Sequence, residues 1–159
     1  GGRMTAPTAI SIRPAQPSDA LAIAQLFTSV GWLSRFQSGC VQDHATHIAP
    51  LLQPHDHQLQ LVACNAEGAL LGYCATHWLP VAVMRSWEGY VSELFIAGQA
   101  RGLGVGAQLL EQAVAAARTK GCCRIWLINN RDSDAYERSF YAKQGWQELP
   151  QAARFVMPL

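Results

Sequence analysis

No apolar run in this sequence approaches the roughly 18 residues that a membrane-crossing helix needs, and its first residues lack the charged-then-apolar order of a signal peptide. A cytoplasmic location without a membrane partner is therefore the expectation. Charge is scarce too: Asp, Glu, Lys and Arg make up 14% of residues and the formal net charge is +1. Nothing resembles the basic stripe of a nucleic-acid binder, so the expected partner is a small molecule or another protein. The five cysteines are an odd number with no C-x-x-C spacing, which argues against a disulfide framework. Four of them (Cys64, Cys74, Cys122 and Cys123) lie in apolar runs that read as strands, as suits reduced, buried thiols. His44 and His47 are three residues apart and His55 and His57 flank Asp56, yet no carboxylate or cysteine spacing completes a ligand set, so no metal is expected. Internal repeats, low-complexity segments and linkers are also missing.

What is present suits one domain: 159 residues, half of them hydrophobic, can build one core. Gly1, Gly2 and Arg3, ahead of Met4, read as a cloning scar. "AISIRPA" (Ala9 to Ala15) alternates like a strand, and "PSDALAIAQLF" then predicts a helix capped by Ser18 or Asp19, with Leu21, Ala24, Gln25 and Leu26 at helical spacing. Ser34 to Leu52 carries a weaker helical pattern that Pro50 breaks or bends. "QLQLVAC", the turn residues "NAEG" and "ALLGYCATHWL" predict an antiparallel hairpin, and "EGYVSELFI" a further strand. Val105, Leu109, Leu110, Ala113, Val114 and Ala117 recur with a period near 3.6, predicting a helix from Gly104 to Lys120 that ends at Gly121. "CCRIWLI" reads as a buried strand and "SDAYERSFYAKQG" as a helix capped by Ser133 or Asp134 and stopped at Gly145; the tail "WQELPQAARFVMPL" predicts two short strands. The order β-α-α-β-β-β-α-β-α-β-β is a mixed α/β (α+β) domain.

Gly102, Gly104 and Gly106 fall at every second position of a strand-to-helix junction. The first backbone N–H groups of a helix have no intrahelical acceptor and the helix dipole is positive there, so main-chain donors can hold an anion. Side chains at these positions would obstruct its approach, and Arg101 adds a fixed positive charge, which together suit a pyrophosphate. An unliganded glycine turn would account for a lone G-x-G. Gly102, Gly104 and Ala107 also satisfy the dinucleotide spacing G-x-G-x-x-A. However, the polar "AGQAR" separates strand from glycines, and the next strand ends in Asn129 and Asn130 where an acidic residue would be needed. No G-K-[ST] follows, which excludes a Walker loop.

With the preceding "ELFI", the pattern R-x-x-G-x-G from Arg101 to Gly106 resembles the pyrophosphate loop of the GNAT superfamily of N-acetyltransferases. "SFYAKQGW" (Ser139 to Trp146) resembles that superfamily's [FL]-Y-x-x-x-G-[FYW] signature. Two motifs in the right order, separated by a helix and a strand, are far more specific than either alone. In detail, "GYVSELFIAGQARGLGVG" and the closing "ARFVMPL" are similar to small-amine acetyltransferases of the aminoalkylphosphonate type, a pointer to acceptor size.

The resemblance implies a mostly antiparallel central sheet flanked by helices, opening into a V where the strand ending at Ile96 parts from the one ending at Asn129. It implies acetyl-CoA (coenzyme A) as cofactor, its pantetheine on the backbone of Leu94, Phe95 and Ile96, and its pyrophosphate on the N–H groups of Arg101, Gly102, Leu103, Gly104, Val105, Gly106 and Ala107. Phe140 and one or more of Asn129, Asn130 and Asp134 would complete that site. The family's Asn seven before the Tyr is Asp134 here, within a lengthened "NNRDSD". Tyr141 falls where the family carries its thiolate-protonating tyrosine; a core aromatic beside Phe140 is the bland alternative. Strict alternation puts Glu88, Tyr90, Ser92 and Leu94 on one strand face and Glu93 on the other, as a structural residue. The usual base positions are then Tyr90 and Ser92, which are poor bases. Deprotonation would run through water to Glu88, or to His77 from the neighbouring strand, unless the amine binds neutral. Trp32, Phe36, Trp78 and Trp87 lie in segments that would wall the acceptor pocket, or are core. The implied function is acetyl transfer to a small-molecule amine, with relatives often homodimeric. A catalytically silent acyl-CoA sensor with a protein partner is the competing expectation.

Overall fold

The computed structural model describes residues 9–159, so the Gly1 to Arg3 scar lies outside the described residues. Two compact units form, one reaching Leu127 and the other spanning Ile128 to Leu159. In the first, β1 (Ser11–Pro14), β2 (Gln58–Cys64), β3 (Leu70–Val81), β4 (Ser86–Ile96) and β5 (Cys122–Leu127) make a sheet of order β1-β2-β3-β4-β5. All pairs are antiparallel except β4 with β5, which gives the mostly antiparallel sheet that the resemblance implies and includes the hairpin expected from the sequence.

The β2–β3 hairpin closes on the expected "NAEG" turn, where the Asn65 Oδ1 accepts from the Glu67 and Ala69 N–H groups at 3.0 and 2.8 Å. Helix α3 (Val105–Lys120) connects β4 to β5 and stops at Gly121, whose φ of 85° only glycine adopts readily. Its buried stripe is Val105, Leu109, Leu110, Ala113 and Ala117, which packs on one sheet face beside Gly72 and Ile96. Helix α1 (Ala20–Val30) covers part of the other face through Phe27, whose ring meets Tyr73, Phe95 and Phe36 edge-on at 5.6, 5.3 and 5.1 Å. No helix among the described residues is long and apolar enough to cross a membrane.

Several expectations change at this level. Asp19 does precede α1, but its carboxylate binds the Gln16 N–H and the Arg13 guanidinium at 2.8 Å instead of capping the helix. The buried stripe of α1 is Ala20, Ile23, Ala24, Leu26 and Phe27, leaving Leu21 exposed. The 34–52 segment splits into two 3-10 turns around α2 (Val41–Ile48), which ends two residues before Pro50. Only Cys64 and Cys74 are buried; Cys123 faces outward from the edge strand β5.

In the second unit, Ser133 caps α4 (Asp134–Glu137) by accepting from the Tyr136 N–H, but a left-handed Ser139 (φ 57°) divides the expected helix, so that α5 (Phe140–Lys143) is separate. The two tail strands are not formed: residues 144–159 contain turns without a ladder. A strand exists only when paired, and alternation in the sequence supplies no partner.

Candidate active site

Strand β4 pairs with β5 from Trp87↔Cys122 to Val91↔Leu127 and then runs five residues further, to Ile96. Past Val91 its β5-side edge has no ladder partner among the described residues. Ala97 is tied back to the Leu71 carbonyl at 2.8 Å, and the chain then passes through Arg101 and two left-handed glycines, Gly102 (φ 79°) and Gly104 (φ 78°), into α3. A Cβ at either glycine would meet nothing within 4 Å, so open space lies above this turn and the glycine requirement is conformational. The first N–H within α3 to reach a carbonyl of the turn is that of Gln108, to Gly104 O at 3.1 Å. The N–H groups of Val105, Gly106 and Ala107 precede it and have no carbonyl one turn back within the helix. The residues present thus suit the pyrophosphate of coenzyme A.

The register of β3 with β4 shifts within this edge strand. Thr76 faces Val91 and Ala75 faces Glu93, so Ser92 is the extra residue of a β-bulge. His77 lies opposite Tyr90 and Ala75 opposite Glu93, and His77 and Ala75 share a face because they are two apart. Tyr90 and Glu93 therefore share that face as well. This corrects the expected alternation: the bulge brings Glu93 to the face of Glu88 and Tyr90 and moves Leu94 to the opposite one.

Successive rows can be followed across this face. Glu88 opposes Leu79 and Arg124; it is 3% exposed and its carboxylate is ion-paired with the Arg124 guanidinium. In the next row, His77, Tyr90 and Trp126 stand side by side, with ring centroids 6.1 Å (His77 to Tyr90) and 4.4 Å (Tyr90 to Trp126) apart. His77 Nε2 lies 2.7 Å from the bulged Ser92 Oγ, and burial, aided by His55, lowers the His77 pKa so that its neutral form is favoured. Then comes half-buried Glu93, whose pKa burial raises, an effect partly offset by the Tyr73 hydroxyl. Tyr73, itself pushed up by burial, accepts from Gln60 Nε2 at 3.1 Å.

The four expected pocket aromatics do not come together. Trp32, 68% exposed, lies 6.1 Å from Phe95, and Phe36 meets Phe27, both on the Glu93 face. Trp78 and Trp87 have the opposite parity: Trp78 lines a cleft of about 690 Å³ with Ala115 and Ala116 of α3, and the Lys120 ammonium lies 5.7 Å from the Trp87 ring. In the second unit, the Tyr141 ring meets Phe140 at 5.0 Å and Trp146 at 6.4 Å. There Asn129 Oδ1 accepts from Ser133 Oγ at 3.0 Å, and Asp134 pairs with Arg138 at 3.1 Å. His44 and His47 bond to the carbonyls of Ser38 and Asp43, and no metal-binding group of three side chains occurs among the described residues.

Sequence reasoning set Glu93 aside and missed Arg124 and Trp126. A bulge leaves no mark on alternation, and the register of a parallel pair joined by a 16-residue helix is not written in either strand.

A model of the acetyltransferase (GNAT) family matches residues 28–146. No curated protein matches. Among solved structures, a transcriptional regulator from Bacillus halodurans C-125 superposes with a TM-score of 0.81 at 21% identity, over 95% of this chain and 100% of that one. A ribosomal-protein-alanine N-acetyltransferase from Brucella melitensis biovar Abortus 2308 gives 0.73 at 21% identity, over 95% and 99%. An aminoglycoside acetyltransferase from an uncultured soil metagenomic sample gives 0.75 at 18% identity, over 94% and 96%.

Proposed function

The chain belongs to the acetyltransferase (GNAT) family, and from that membership and the site's geometry we propose that it moves an acetyl group from acetyl-CoA directly to the amine of a small molecule. The observation that carries this reading is the junction itself, where a strand edge without a ladder partner leads into a glycine turn with open space above it and then into a helix N-terminus. When bound, acetyl-CoA supplies the activated acetyl thioester. The Arg101 side chain and the N–H groups of Gly102, Gly104, Val105, Gly106 and Ala107 would hold its pyrophosphate; the Arg101 and Leu103 N–H groups, expected among these donors, are instead taken by the Gly98 and Ala100 carbonyls at 3.3 and 3.2 Å. The backbone of Leu94 to Ile96 would align its pantetheine arm. Orientation and backbone polarisation then provide most of the acceleration.

Two protons remain. Glu93 is our choice for the amine's proton, because a carboxylate whose pKa is raised by burial sits nearer the operating pH than an ordinary one. Neutral His77, through Ser92 Oγ, is the second route. Glu88 is less suited, since Arg124 holds its carboxylate. Tyr141, by family resemblance, donates to the departing sulfur. The chain then acts as one acetyltransferase domain.

Release of free thiol from acetyl-CoA across a panel of amines, read beside calorimetric titration with acetyl-CoA, tests this. Binding with amine-dependent release is expected. Binding without release from any amine would favour the silent sensor, and absence of binding would overturn both readings.

A further inference from the structure

We propose that the acceptor is an arylalkylamine, its ammonium held at Glu93 and its ring lying against the row formed by His77, Tyr90 and Trp126. This rests on the acetyl-transfer reading and narrows its acceptor. The three rings are register partners on adjacent strands, and each is half-buried. The Phe27 cluster of α1 covers Tyr73 and Phe95, two rows further along the face. The row is therefore a wall of aromatic surface beside a carboxylate. Glu93 is one row away, and rows on a strand face repeat at about 7 Å. A one- or two-carbon spacer between ring and nitrogen spans that separation.

Charge points the same way. Tyr73, Ala75, His77 and Leu79 of β3, Glu88, Tyr90, Glu93 and Phe95 of β4, and Arg124 and Trp126 of β5 line this face, continued by Gln58, Gln60 and Val62 of β2 and Arg13 of β1. Both permanent cations among these strand residues are engaged: the Arg124 guanidinium by buried Glu88, and that of Arg13, in the Tyr73 row, by Asp19 at 2.8 Å. An acceptor carrying a carboxylate or phosphonate would set its anion against Glu93, with no free cation in these rows to receive it. An ammonium is attracted by Glu93. An aliphatic diamine would need a second uncommitted carboxylate, and Glu88 is committed. The structure thus favours a flat, uncharged body, whereas the resemblance to aminoalkylphosphonate acetyltransferases would favour an anionic one.

The test compares 2-phenylethylamine, 1,4-diaminobutane and 2-aminoethylphosphonate as acceptors by thiol release, and titrates each into the protein calorimetrically. The expected result is a kcat/KM for 2-phenylethylamine at least about tenfold above the other two. It should fall on the order of 10- to 100-fold in Trp126→Leu, a loss comparable to that of a stacked base, while acetyl-CoA affinity is retained. Should Trp126→Leu not fold, Tyr90→Leu reads the same wall. Preference for the phosphonate or the diamine would overturn the proposal, as would an equal loss for all three amines. If no amine is acetylated, 2-phenylethylamine binding that is lost in the variant would support the acceptor site while the transfer reading fails. Absence of that binding would overturn the site too.

Discussion

Glu93 shows how one inserted residue decides which face a side chain takes. Without the bulge at Ser92 its side chain would fall on the α3 face; with it, the carboxyl shares a face with Tyr90 and His77, and burial raises its pKa. The sign of the consequence follows from linkage. A raised folded-state pKa means that the protonated form is the better accommodated one. Its stabilising contribution is full below the unfolded carboxyl value and is lost as pH rises through the folded value. Glu93→Gln should therefore melt above the wild type at pH 7 and level with it near pH 4, by thermal denaturation at both values. If Glu93 is the base, the same variant should lose about 10²- to 10⁴-fold in kcat/KM along with the acid limb of the pH–rate profile. Wild-type turnover in Glu93→Gln would transfer the role to His77 and Ser92. The glycine turn and the motif around Tyr141 are legible in the sequence because each is local. The face of Glu93 is not, because it depends on which β3 residue Glu93 opposes.

At the scale of elements, α3 and its entry turn matched their sequence pattern from Val105 to Gly121. Both ends are marked by glycines in conformations other residues avoid, and the buried stripe follows the helical period. Gly104→Val should cost about 1–3 kcal/mol through its left-handed backbone. It should nonetheless fold, since a Cβ there meets nothing within 4 Å. Calorimetry is expected to show acetyl-CoA binding abolished in that variant, and weakened by about 1–3 kcal/mol in Arg101→Ala; unchanged affinity in both would remove the turn from the site. Gly72 has the opposite constraint. A Cβ there would lie 3.0 Å from Ile96 Cδ1 and Leu109 Cδ1 and 3.1 Å from Val105 Cγ1. Gly72→Ala should lower stability by about 1–3 kcal/mol by overpacking β3 against α3, read in a denaturant titration. The divided α4 and α5 were less legible, because one left-handed residue, Ser139, interrupts a pattern that is otherwise continuous in the sequence.

For the molecule as a whole, a mixed sheet with a single parallel pair follows from its connections. The antiparallel pairs β2–β3 and β3–β4 are joined by short connections, β1 reaches its antiparallel partner β2 by way of α1 and α2, and α3 supplies the crossover that a parallel β4–β5 pair needs. The histidines illustrate how sequence proximity and assembly differ. His44 and His47 bond to backbone carbonyls, while His55 and His57 pair with each other at 6.1 Å. A chelator should accordingly change neither melting temperature nor turnover; loss of either, restored by zinc, would reveal a site built from these residues.

The sequence by itself determined the element order through β5, the glycine turn ahead of α3 and the family, because each is carried by residues near one another along the chain, through period, turn chemistry and motif. Tertiary structure alone decided which side chains share a face. The bulge at Ser92 exchanges Glu93 with Leu94, the parallel register sets Trp126 beside Tyr90, and Arg124 engages Glu88. These pairings depend on register between strands, which hydrogen bonding and packing across the sheet establish and which no single strand encodes.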